Sequence, residues 1–325
     1  MRRRDFIGVF GGAAAAMWPL RVVAQRSTKV PRVGVLLYNT VHGDPNSAPF
    51  HQGMRELGYV DGQNVTFEYR FAEGRPERLP GLAAEMARLT PDVIFALGGD
   101  VAPHAIKATK TIPIAFAVST DPVRGGLVAS LARPGGNATG VTFLQDELAA
   151  KRLGLLKEVA PKVSRLAFLY NPDHIDNERR EAERAAAALG VQLHLCEVRG
   201  PGDLDAALDG AARASVEALY VVASRQTVTQ IGRIVDFATI NQLPLAGGWG
   251  TWAESGGLIS YGPNVSEMVR QSAAFVDNIL KGAKPAELPV QQPTRFELLI
   301  NLKTARALGL AIPEPFLLAA DTVIE

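Results

Sequence analysis

From residue 30 onward, short apolar runs alternate with longer stretches of helical spacing, and this rhythm limits the fold more than any other feature. Val33-Gly34-Val35-Leu36-Leu37, Val93-Ile94-Phe95-Ala96-Leu97 and Ile114-Ala115-Phe116-Ala117-Val118 each end at polar or glycine residues. Runs of this length suit strands buried on both faces, as in parallel sheets covered by helices. Between them, 50–57, 79–89 and 102–109 read as helices, with Gly58 and Pro91 closing the first two. Residues 65–70 alternate like a strand with one wet face. Strand, helix, strand in this cadence implies a parallel sheet with right-handed crossovers.

The cadence pauses at the turn cluster Ala132-Arg133-Pro134-Gly135-Gly136-Asn137 and then restarts. Helices are expected over 148–159, 177–189, 203–214 (with Asp203 as cap) and 228–240, and strands over 165–170, 191–198, 218–223 and 243–247. A glycine-flanked segment at 256–263, a helix over 265–280, a proline-stiffened stretch at 285–293, a strand over 296–300 and a helix over 303–308 follow. A length of 325 residues allows about two domains. Three segments, near 137–143, 257–263 and 286–294, read as crossings between units. The expected fold is α/β: two doubly wound parallel-sheet lobes joined by a three-crossing hinge. Residues 26–140 plus 264–290 would form lobe one and 141–263 lobe two. Residues 291–325 would place a strand and helix near the hinge, in either lobe.

Charge and motifs narrow the function. Lys and Arg number 34 against 33 Asp and Glu, for a formal net charge of +1. Phosphate binding needs concentrated positive charge, so nucleic acid is not the expected partner. The single cysteine, Cys196, excludes an internal disulfide and a cysteine-based metal cluster. The five histidines are scattered, with no helical pair to ligate a metal. Phosphate-loop, dinucleotide, Gly-x-Ser-x-Gly and His-Glu-x-x-His motifs do not occur. No catalytic residue, metal or cofactor is therefore expected, and binding is favoured over chemistry. The competing reading is an exported enzyme using the cleft, with Asp100, Asp121, His104 and His174 as acid–base groups. A ligand-sensing subunit for a membrane receptor is a third.

Residues 1–25 read as a signal peptide: Arg2-Arg3-Arg4, an apolar stretch with Ala13 to Ala16, and Val22-Val23-Ala24 before Gln25. Arg3-Arg4-Asp5-Phe6-Ile7 resembles the twin-arginine signal, although Arg2 and Gly8 depart from it and the Sec route stays open. No cysteine follows the signal, so a soluble, periplasmic protein without a lipid anchor is expected.

Several strings together carry a family resemblance. They are Glu56-Leu57-Gly58-Tyr59-Val60-Asp61-Gly62-Gln63-Asn64-Val65, Ile112-Pro113-Ile114 with Asp121-Pro122-Val123, and Arg133-Pro134-Gly135-Gly136-Asn137-Ala138-Thr139-Gly140. Gly256-Gly257-Leu258-Ile259-Ser260-Tyr261-Gly262-Pro263 and Leu288-Pro289-Val290-Gln291-Gln292-Pro293 complete the set. In this order they resemble the ABC-transporter substrate-binding protein family that includes tryptophan-binding lipoproteins. The resemblance implies a type I periplasmic-binding fold and membrane permease and ATPase partners. The expected cargo is a small organic ligand, an amino acid or a related acid, with aromatic ones among the candidates, captured between the lobes by hinge closure. Capture between freely closing lobes suits a monomer.

Ligands of parallel sheets collect beyond the C-terminal ends of the strands. In lobe one that rule selects Tyr38, Asn39, Thr40, Gly99, Asp100, Ser119, Thr120 and Asp121, and in lobe two Tyr170, Asn171, Asp173, Ser224, Arg225 and Trp249. Each has a plainer alternative. Asp121 is a counter-ion for an ammonium, as is Asp100, or else a helix cap. Arg225 is a carboxylate receptor or an exposed ion pair, and Trp249 an aromatic platform or lobe packing.

Overall fold

Residues 93–97 and 114–118 are wholly buried and lie side by side at the centre of a sheet in a computed structural model of the chain. The structure describes residues 30–40, 44, 46–143 and 146–325. The signal peptide expected at 1–25 lies outside the described residues, as does His42.

The chain begins β1 (Arg32–Leu37), α1 (Ser47–Glu56), β2 (Thr66–Phe71), α2 (Leu79–Arg88), β3 (Val93–Leu97), α3 (Ala102–Ala108), β4 (Ile114–Val118), β5 (Ala138–Thr142). Next come α4 (Ala149–Val159), β6 (Arg165–Tyr170), α5 (Glu178–Leu189), β7 (Gln192–Glu197), α6 (Leu204–Arg213), β8 (Ala218–Val221), α7 (Arg225–Val228), α8 (Ile231–Ile240). The remainder is β9 (Leu245–Gly247), α9 (Gly250–Glu254), β10 (Ile259–Gly262), α10 (Val265–Leu280), β11 (Glu297–Asn301), α11 (Leu302–Ala307), α12 (Glu314–Ala319) and β12 (Thr322–Ile324).

Two sheets result. The first has the order β2-β1-β3-β4-β5 and is parallel throughout. The second runs β12-β11-β10-β9-β8-β6-β7. Its β7-β6-β8-β9-β10 portion is parallel and repeats the order of the first sheet, one strand for one strand. The fold is thus α/β with two doubly wound sheets. Central strands are continuously apolar because helices cover both faces. The edge strand β2 has no fully buried residue.

The last strands belong to the second sheet. β11 pairs antiparallel with β10, and β12 parallel with β11. β11 is fed by an extended segment from the first sheet, where Gln291 bridges Val141. It therefore enters at the end where its neighbours finish and runs against them. Residues 138–142, read from sequence as a crossing, are a full edge strand of the first sheet. The chain then passes between sheets after β5, between β10 and α10, and before β11.

α10 packs along α1 and over β4 and β5. Gly53 permits this, because a Cβ there would overlap the Arg270 carbonyl. Tyr59 ties the pair from outside, its hydroxyl donating to Asp277 at 3.0 Å. The helix expected at 228–240 is two helices. Ser224 caps α7 by accepting from the Thr227 N–H, so helical structure begins at Arg225 and breaks before Ile231. Asp203 does not cap α6. Its carboxylate accepts the upstream N–H groups of Arg199 and Gly200 instead. No helix among the described residues is long and apolar enough to cross a membrane.

Candidate functional site

In each sheet the strand order reverses beside the first strand, between β1 and β3 and between β6 and β8. The loops at such a point diverge and leave a crevice. A cavity of about 470 Å³ occupies the place where loops of both sheets meet. Asn39 and Thr40 after β1, Gly99 and Asp100 after β3, and Ser119 after β4 line it from the first sheet. Arg225 after β8 and Trp249 after β9 line it from the second.

The other candidates lie outside the lining. Tyr38 is buried, and its hydroxyl donates to the Gly74 carbonyl at 2.9 Å and accepts from Gln226 at 3.0 Å. Thr120 is buried with its methyl against Gly99. The Asp121 carboxylate accepts the N–H groups of Val123 and Arg124, the plainer of its two readings. Tyr170 donates to Glu197 at 3.0 Å, Asn171 accepts from the Asp173 N–H, and Asp173 pairs with exposed Arg199. Ser224 is spent on its helix cap. Trp252 is core, lying against Gly247.

Arg225 reaches across from the second sheet to the first. Nη1 pairs with Asp44, and Nη2 donates to the Leu97 carbonyl at 2.9 Å. The guanidinium also sits 5.9 Å from the Tyr38 ring centroid. The pair is not the exposed one that the sequence suggested as the plainer alternative, since its partner is a wholly buried carboxylate in the loop after β1. Of the cavity's two other charged groups, Glu73 is held by Arg75 and Arg78. Asp100 has no hydrogen-bond or ion-pair partner among the described residues.

Ser119 leads to a relay. Its Oγ lies 2.9 Å from Nε2 of His174, whose Nδ1 lies 2.5 Å from Asp176. The order is that of a serine nucleophile and its base, but the surrounding carboxylates favour the protonated ring. Burial alone would lower the His174 pKa; the Asp176 hydrogen bond and the charges of Asp176, Asp100 and Glu178 outweigh it and raise the pKa. The raised pKa favours the protonated ring, which donates from both nitrogens. The Ser119–His174 contact joins the end of β4 to the loop before α5, and so links the two sheets. His104, on α3, does not line the cavity.

Phe143, at the end of β5, meets Trp249 edge to face at 6.3 Å and 90°. Each ring comes from a different sheet. The Trp249 indole N–H is buried without an acceptor among the described residues. Phe143 and Glu73 are not among the residues that the strand-end rule selects, although each closely follows a strand, whereas Gly98 lines the cavity with Gly99 and Asp100 of the selected loop after β3. The first was assigned to a crossing and the second sits beyond an edge strand. Asn46 just before α1, Val228 at the end of α7 and Thr229 just after it carry no strand-end signal. No three His, Cys, Asp or Glu side chains among the described residues converge as metal ligands.

Comparison with known proteins places this geometry. A family model described as ABC transporter substrate binding protein matches residues 42–324. The chain belongs to the ABC transporter substrate-binding protein family. This substrate-binding protein is 25% identical over 264 residues to a tyrosine-binding protein of Clostridioides difficile, covering 80% of this chain and 75% of that one. It is similar to a solved structure from Streptococcus pneumoniae, an ABC domain in complex with L-Trp. The TM-score is 0.83 at 26% identity, over 91% of this chain and all (100%) of that one. A conserved domain protein of Vibrio cholerae matches equally well, with TM-score 0.83, 28% identity and the same coverage of 91% and 100%. The substrate-binding protein thus has its cavity at the switch points of two doubly wound sheets.

Proposed function

We propose that this substrate-binding protein captures an aromatic amino acid between two lobes and delivers it to an ABC importer, its permease and ATPase lying in the membrane. Lobe one comprises the first sheet with α10, and lobe two the second sheet with the C-terminal strands. Hinge closure over the ligand excludes water and strengthens each charged contact. The N-terminal signal would place the protein in the periplasm.

One observation carries the reading: Asp100, with no hydrogen-bond or ion-pair partner among the described residues, lines the same cavity as the Phe143–Trp249 pair. A carboxylate facing an enclosed site calls for a cation, and an aromatic wall calls for an apolar ring. An aromatic amino acid supplies an ammonium and a ring together. The Asn39 amide and the Ser119 hydroxyl line the same cavity and can donate to its carboxylate. The names of the C. difficile relative and of the S. pneumoniae complex point to the same ligand class.

Calorimetric titration tests this with L-Trp, L-Tyr, L-Phe and L-Leu, and with indole-3-propionate, which lacks the ammonium. Binding of the aromatic amino acids, weakened for indole-3-propionate and in Asp100→Asn, is expected. A protein that binds none of them, or binds the acid and the amino acid equally, has another ligand.

A further inference from the structure

We propose that Arg225 is a positioning residue, the latch that holds lobe two on lobe one, and not the receptor for the ligand's carboxylate. It locks to Asp44 and to the Leu97 carbonyl and so keeps a closed population in the protein without ligand. The assignment of amino-acid chemistry to its test ligands rests on the function proposed above.

The geometry engages both terminal nitrogens of the guanidinium on this side. Nη1 is taken by Asp44, and Nη2 donates to Leu97 at 2.9 Å. The Arg225 side chain is 11% exposed and that of Asp44 0%. Opening the pair to admit a ligand carboxylate would leave Asp44 buried without its cation, a heavily penalised state. The backbone is shaped for the contact. Gly98 has φ +118, and a Cβ there would lie 2.5 Å from Arg225 Nη2. The next residue of α7 repeats the crossing, Gln226 donating to the Tyr38 hydroxyl at 3.0 Å. The first turn of α7 thus sends two adjacent side chains into the other lobe. Asp44 is not on the cavity wall, so removing its charge tests the latch without touching a ligand.

The experiment compares wild type, Asp44→Asn, Arg225→Ala and Arg225→Lys by small-angle scattering and by titration with L-Trp and tryptamine, which lacks the carboxylate. Melting curves confirm folding. Should Arg225→Ala fail to fold, Arg225→Lys and Asp44→Asn carry the comparison. Without ligand, Asp44→Asn and Arg225→Ala should have a larger radius of gyration than wild type. Both should bind L-Trp and tryptamine more weakly by the same factor, about tenfold or more, because a smaller closed population weakens every ligand alike. Arg225→Lys should recover part of the loss. The latch is overturned if Arg225→Ala weakens L-Trp alone while Asp44→Asn changes nothing, the pattern of a carboxylate receptor. It is also overturned if ligand-free wild type and variants scatter identically. If wild type binds neither ligand, the amino-acid reading fails, and the scattering comparison still decides the latch.

Discussion

The Ser119 hydroxyl oxygen lies 2.9 Å from Nε2 of His174, joining the end of β4 in one sheet to the loop before α5 in the other. Beside it, the Asp121 N–H donates to the Ile175 carbonyl at 3.0 Å. The imidazole thus sits at a seam between lobes, where gaining or losing its charge affects stability.

That charge sets a pH dependence. Against the burial that lowers it, Asp176, Asp100 and Glu178 raise the His174 pKa above its ordinary 6.5. A pKa raised on folding contributes stability that is full below about pH 6.5 and is lost as pH rises through the folded value. The melting temperature of wild type should exceed that of His174→Gln most at pH 6 and below. The gap should narrow towards pH 9. A gap that widens with pH contradicts the assignment.

Asp146 titrates with the same sign for a different reason. Burial, with the nearby charges of Asp176 and Glu178, pushes its pKa up to about 6 from 3.8 despite the hydrogen bond from the Asn177 N–H. Its Oδ1 has no hydrogen-bond partner among the described residues. A carboxyl raised on folding favours the folded state in acid and loses that contribution as pH climbs to about 6. Asp146→Asn should thus stabilise the protein at pH 8 by on the order of 2 kcal/mol, and by little below pH 4. Urea unfolding at both pH values measures the difference.

In lobe two, Arg152 pairs with Glu178 at 2.6 Å and donates to the Tyr220 hydroxyl at 3.1 Å and the Tyr261 carbonyl at 2.6 Å. Arg152→Met leaves the Glu178 carboxylate buried without its cation. A loss of about 3–5 kcal/mol is expected from the urea midpoint. Pairing it with Glu178→Leu should return part of that loss, because the uncompensated charge is gone. A single variant as stable as wild type would show the pair to be dispensable.

Gly53 is the closest approach of α1 and α10. Gly53→Ala must push the helices apart, since the obstacle is the Arg270 backbone. Overpacking of this kind costs about 1–3 kcal/mol. Thermal unfolding should show it, and an unchanged melting point would mean that α10 shifts without cost.

Trp249→Ala removes one ring of the cavity wall. Affinity for L-Trp should fall about ten- to a hundredfold, in line with the apolar area lost. Isothermal titration checks this. An equal loss for L-Leu would indicate packing between lobes rather than contact with an aromatic ring.

Several of these elements could be read before the structure. Ile114–Val118 and Val265–Leu280 begin and end where periodicity put them. Strand ends marked Asn39, Asp100, Ser119, Arg225 and Trp249, all of which line the cavity. α9, α12 and β12 were not legible, being short segments of 5, 6 and 3 residues without a full period. β5 was mistaken for a crossing because an edge strand beside a turn cluster looks much like one.

The sequence by itself determined the α/β rhythm, the two lobes' worth of strands, and the loops at their ends, because burial periodicity and turn chemistry act over a few residues. Only the tertiary structure decided what those loops do. Arg225 meets Asp44 across 181 residues of chain, and Ser119 meets His174 across 55. Which carboxylate neutralises a cation, and whether an imidazole is base or bridge, depends on groups brought together by packing. No local pattern encodes that distance.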